Sequence, residues 1–123
     1  MAILGIMLGL LPGCSSKPSA TRSYPSPSSG LSIVVEDFGG DGPLSADTTR
    51  VYAIRKSNGK DIKQLIVEGE YLGLMRVTWK GMDQLELCIS PDSMTSSFYN
   101  NATLSDGSSS MKVHTTLLQS CPH

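Results

Sequence analysis

Thr49-Arg50-Val51-Tyr52-Ala53-Ile54-Arg55-Lys56 and Ile62-Lys63-Gln64-Leu65-Ile66-Val67-Glu68 flank the connector Ser57-Asn58-Gly59-Lys60-Asp61. Both runs are rich in β-branched and aromatic residues, which suit a pleated, half-buried surface. Asn-Gly between two such runs is the strongest short-range hairpin signal, because a type I′ turn needs positive φ at both central positions. With Asn58 and Gly59 as a two-residue loop, Tyr52 falls opposite Leu65 and Val51 opposite Ile66. That register pairs apolar with apolar across the hairpin.

The same period of two extends outward in both directions. Leu31, Ile33 and Val35 alternate with Ser32, Val34 and Glu36. Met75, Val77 and Trp79 alternate with Arg76, Thr78 and Lys80, and after Gly81 the run Leu85, Leu87, Ile89 alternates with Gln84, Glu86 and Cys88. Placing Trp79 opposite Leu85 sets Val77 opposite Leu87 and Met75 opposite Ile89. One face of this pair is apolar and the other carries Arg76, Lys80, Gln84 and Glu86, the pattern of a sheet with one side on a core. Ser96–Leu104 and Met111–Leu118 supply the remaining strands. No segment has helical periodicity. The expectation is all-β: a small antiparallel meander of six to seven strands, folded as a sandwich or an open barrel.

Residues 31–123 would make this domain. At roughly 95 residues it buries about 60–65% of its unfolded surface, so a covalent staple would help it. The net charge is −1, which argues against a nucleic-acid partner. One Trp, two Phe and four Tyr leave little for a stacking platform. Arg50, Arg55, Lys56, Lys60 and Lys63 follow an acidic group of Glu36, Asp37, Asp41 and Asp47, and both groups read as solvated faces.

The N-terminus is different in kind. Met1–Leu11 carries no charged or polar side chain and is too short to span a bilayer. An apolar stretch of this length at the start of a chain has the form of a signal-peptide core. Leu11-Pro12-Gly13-Cys14, followed by Ser15 and Ser16, resembles the lipobox of bacterial lipoproteins. The resemblance implies cleavage after residue 13 and lipid on the Cys14 thiol. It also implies a protein of the bacterial cell envelope, anchored in the outer membrane facing the periplasm in a Gram-negative host. Two or three acyl chains, at about 0.8 kcal/mol per buried methylene, anchor durably without a transmembrane helix. Residues 14–30, dominated by Ser, Pro and Thr, read as a disordered tether. With Cys14 lipidated, Cys88 and Cys121 are left to form a disulfide in an oxidising envelope.

Chemistry-bearing constellations are few. His114 and His123 are the only histidines and match no zinc spacing. No G-x-S-x-G elbow accompanies the many serines. Asp37, Asp41 and Asp47 flank a Gly-rich loop without an EF-hand pattern. Glu68 and Glu70 lie two apart near a strand end. The sequence therefore leads us to expect no catalytic residue, no metal and no cofactor. It points to a lipid-anchored, non-catalytic envelope protein whose β domain binds a protein or an envelope polymer, at its strand edges or loops. An enzyme inhibitor using the 37–48 loop, and a small hydrolase using Glu68, Glu70 or His114, are the alternatives.

Overall fold

The computed structural model describes residues 18–28, 30–39, 48–70, 72 and 75–119. The leader, Cys14, Asp41, Asp47, Cys121 and His123 lie outside these residues. The described chain is all-β, as its alternation requires. Nine strands form it: β1 Ala20–Pro25, β2 Leu31–Phe38, β3 Thr48–Ser57, β4 Lys60–Glu70, β5 Arg76–Trp79, β6 Gln84–Cys88, β7 Met94–Phe98, β8 Asn101–Ser105 and β9 Ser110–Leu118. They assemble into a five-stranded sheet, β1-β2-β3-β4-β7, and a four-stranded sheet, β5-β6-β9-β8.

The β3–β4 hairpin turns on Asn58 and Gly59, with φ of 53° and 77°. Its register places Tyr52 opposite Leu65 as expected, but Val51 faces Val67 rather than Ile66. A bulge between Val51 and Tyr52 accounts for the difference. The extra residue lets Ile66 and Val67, adjacent in sequence, both reach 0% exposure. Strict alternation would have turned one of them to solvent. The β5–β6 pair keeps its expected register, with Trp79 opposite Leu85 and Val77 opposite Leu87.

Two expectations need correction. The strand count is nine, not six or seven, and the path is more than a meander, because β9 runs parallel to β6. The two sheets are separate, which is the sandwich alternative. The stretch 20–25, placed in the tether on composition, is β1. It pairs with β2 over six residues, from Ala20 opposite Asp37 to Pro25 opposite Ser32. Its only inward apolar residue, Tyr24, packs on the core. Neither composition nor hydropathy flags such a strand, because a ladder to β2 rather than side-chain burial holds it.

One core lies between the sheets. Ile33, Val35, Val51, Ala53, Ile66 and Val67 come from the first sheet, and Leu85, Leu87, Ala102, Leu104 and Val113 from the second. At one margin the Trp79 indole Nε1 donates to the Tyr24 carbonyl at 3.0 Å, tying β5 to β1 without a ladder. Gly69 marks the tightest approach: a Cβ there would collide with the Met94 carbonyl on β7.

Thr115, on the core face of β9, is 2% exposed, and its hydroxyl has no hydrogen-bond partner among the described residues. An unsatisfied buried hydroxyl costs about 1–3 kcal/mol. Thr115→Val keeps the branched shape and removes that cost. Chemical denaturation should show the variant more stable by about 1 kcal/mol; an unchanged or lower midpoint would mean the hydroxyl is satisfied.

Candidate functional site

The hairpin register carries the Asn58–Gly59 turn beyond the end of β1 and brings it against the β8–β9 turn. Arg55 holds the two turns together. Its Nη1 donates to the carbonyls of Leu104 and Ser109, both at 2.9 Å. Its Nη2 donates to Asp106 Oδ2 at 3.2 Å and to Ser109 Oγ at 2.7 Å. Only 11% of the Arg55 side chain is exposed, so these bonds work in a partly desolvated setting where charge-assisted contacts are strong.

Asp106 is the acceptor hub of the β8–β9 turn. Ser57 Oγ donates to its Oδ2 at 2.7 Å, and the amides of Ser108 and Ser109 both donate to its Oδ1 at 2.8 Å. The Ser57 hydroxyl first, then the two amides and the Arg55 charge, hold its carboxyl well below the usual carboxylate range. Gly107, at φ 92°, supplies the left-handed residue that lets the turn wrap around the carboxylate.

Between the two turns lies a pocket of about 300 Å³ lined by Ser57, Asn58, Lys60, Ile62, Ser105 and Asp106. That size is at the lower bound of small-ligand sites. The walls offer hydroxyls, a carboxamide, an ammonium group and a carboxylate. Ile62 adds an aliphatic surface that is partly buried against the core. Lys60 is exposed at the rim. Such a mixture suits a polyhydroxylated or amide-bearing ligand with one apolar face. Because Arg55 and Asp106 lock both walls, the pocket loses little conformational freedom when it fills.

The sequence-derived candidates are not gathered at this pocket. Glu68 is bonded to Arg50 on the outer face of the first sheet. Glu70 lies exposed at the end of β4. His114 is on the outer face of the second sheet, its Nδ1 2.8 Å from Asn101 Oδ1. These three therefore do not form one acid–base cluster. Asp37 is occupied by Arg22 at 3.2 Å and by the Thr49 hydroxyl at 2.8 Å. No group of three or more His, Cys, Asp or Glu converges for a metal among the described residues. The acidic and basic groups of the sequence interleave across the strands. Glu36, Arg50 and Glu68 share one row, and Lys63 reaches Glu36 at 3.9 Å while lying 4.0 Å from the Tyr52 ring centroid.

Cys88 alternates with Leu87 and so shares the outward face with Gln84 and Glu86, as the sequence suggests. It is nevertheless only 5% exposed. Its register partner on β9 is Leu118, and the Ile89 amide donates to the Leu118 carbonyl at 2.8 Å. The end of β9 thus lies directly beside Cys88.

The depressed Asp106 carboxyl gives the tip an acid response of definite sign. The folded state holds the anion in a range where the unfolded chain takes up a proton, so this contribution is complete above the ordinary pKa of about 3.9. It is lost as pH falls through that value toward the folded one. Melting temperature against pH should drop more steeply below pH ~4 for the wild type than for Asp106→Asn; parallel curves would remove Asp106 as the hub.

No family model matches the chain, and neither the curated proteins nor the solved structures compared with it yield a match.

Proposed function

We propose that this is a lipid-anchored, non-catalytic protein of the bacterial envelope whose β domain binds an envelope polymer or a protein through the pocket at the β3–β4 and β8–β9 turns. The observation that carries the binding reading is that pocket: about 300 Å³, with prelocked polar walls and one aliphatic side. Its mixture of hydroxyl, carboxamide, ammonium and carboxylate groups favours the polymer, whose sugars present hydroxyls and amides on one edge and C–H on a face. The lipobox-like Leu11-Pro12-Gly13-Cys14 supports the anchor. No helix among the described residues is long and apolar enough to cross a membrane.

A Cys88–Cys121 disulfide is part of the same reading. Cys121 lies three residues beyond Leu118, the register partner of Cys88. Neighbouring strands are about 4.8 Å apart, comparable to the 4.4–6.8 Å between the Cα atoms of a disulfide. The bridge would close a loop worth roughly 3–4 kcal/mol in the chain-entropy model.

Two experiments test this function. In the first, the protein is incubated with insoluble cell-wall glycan and pelleted. Wild type and Lys56→Ala should pellet alike, since Lys56 lies outside the pocket. Lys60→Ala should bind about tenfold more weakly, the loss of one charge-assisted hydrogen bond. Equal recovery of all three with and without glycan would overturn the polymer reading. The second is the intact mass of protein extracted from membranes without reductant. A species starting at Cys14, heavier by acyl groups and lighter by two hydrogens, is expected. A full-length, unmodified, reduced chain would refute both anchor and bridge.

A further inference from the structure

The position of β1 has a geometric consequence for the anchored protein. Ala20 begins the strand, six residues after Cys14. A fully extended chain advances at most about 3.6 Å per residue, so these residues reach no farther than about 22 Å. Ala20 stands in the same row as Asp37 on β2, Thr49 on β3 and Gly69 on β4, with Thr95 on β7. This row defines one pole of the domain. The pocket lies at the other pole. Asn58 is nine residues along β3 from Thr49, about 30 Å at the rise of a β-strand.

From this we infer that the domain is held with its Ala20–Thr95 pole against the bilayer and its pocket turned outward, toward a polyhydroxylated polymer standing up to about 50 Å from the lipid surface. The inference rests on lipidation at Cys14. A tether reaching to residue 30 would have left the domain free to tumble and present any face. Six paired residues of β1 shorten the tether and fix its attachment at one pole, which restricts that freedom. The pocket-bearing pole carries Lys60, Asn58 and the Ser105–Ser110 turn, polar groups suited to a hydrated polymer. The membrane-side pole carries Met94, 63% exposed, opposite the exposed Glu70, while Met82, 62% exposed, lies toward the other end, where its carbonyl accepts from Ser26.

The test uses the full lipidated chain in phosphatidylethanolamine/phosphatidylglycerol vesicles containing an energy-acceptor lipid. A fluorophore is placed on Met94→Cys or on Lys60→Cys, both exposed sites, and unsubstituted protein carried through labelling gives the background. Flotation of the vesicles reports the anchor; energy transfer reports the orientation. The expected result is flotation of both variants, with transfer several-fold stronger from position 94 than from position 60. A further variant, with a flexible Gly/Ser segment inserted after Ser16, should float equally and lose most of that difference. Protein that does not float overturns the anchor, and this orientation falls with it. Protein that floats with equal transfer from both positions, or stronger transfer from position 60, overturns the orientation and leaves the anchor standing.

Discussion

The register of the β3–β4 hairpin is the constraint on which the rest of the domain depends. Side chains alternate with a period of two, so a slip of one residue would turn Val51 and Ala53 outward and bring Arg50 and Tyr52 into the core. The Asn58–Gly59 turn blocks that slip at one end, through two consecutive positive φ values. The bulge at Ile66 adjusts it midway, so that both Ile66 and Val67 are buried. β3 and β4 are the two longest strands, and β2, β1 and β7 take their positions from them. The same register sets Arg55 within reach of the β8–β9 turn. A one-residue slip would therefore dismantle the core and the pocket together.

The β-rich class and both hairpins were legible because their signals are local. Alternation, Asn-Gly and the one-sided apolar face of β5–β6 all act within a dozen residues. What stayed hidden depended on distant partners. β1 has the composition of a tether, Ala-Thr-Arg-Ser-Tyr-Pro, and becomes a strand because β2 offers an open ladder beside it. The parallel pairing of β6 with β9 joins residues about thirty positions apart, and nothing in either segment announces it. The Ile66 bulge is readable only in hindsight, as two apolar neighbours in a strand that otherwise alternates.

The pocket was less legible than the fold. Asp106-Gly107 is a turn signal of the same class as Asn58-Gly59, so the second turn could have been found. Its meeting with Ser57 and Arg55 could not, since Arg55 and Asp106 are 51 residues apart, one on a strand of the first sheet and the other in a turn of the second. The residues that stand out in the sequence are instead Glu68, Glu70, His114 and the charge runs. Those residues are mostly absorbed into ordinary sheet-face pairings, such as Arg50 with Glu68. Charge density in a β sequence marks outward faces, and outward faces on neighbouring strands neutralise each other.

The sheet edges decide whether another chain can add as a strand. An exposed, flat, uncharged edge strand invites pairing with another chain. The β7 segment Met-Thr-Ser-Ser-Phe fits that description in sequence. In the fold it is bulged: Glu68 faces Ser97 and Gly69 faces Thr95, leaving Ser96 as the extra residue, with its hydroxyl bonded to the Glu68 carbonyl at 3.1 Å. The bulge also sends Met94 and Phe98 to opposite sides of the sheet, since Met94 opposes Glu70 and Phe98 opposes the buried Val67. Their exposed apolar area is thus divided rather than pooled into one sticky strip. At the other edge of the same sheet, Pro25 offers no amide, Arg22 brings a charge, and Trp79 binds the Tyr24 carbonyl. Both edges of the five-stranded sheet are therefore blunted against strand addition. The turns differ from both edges, because there Arg55 and Asp106 already hold Ser57 and Ser109 in place.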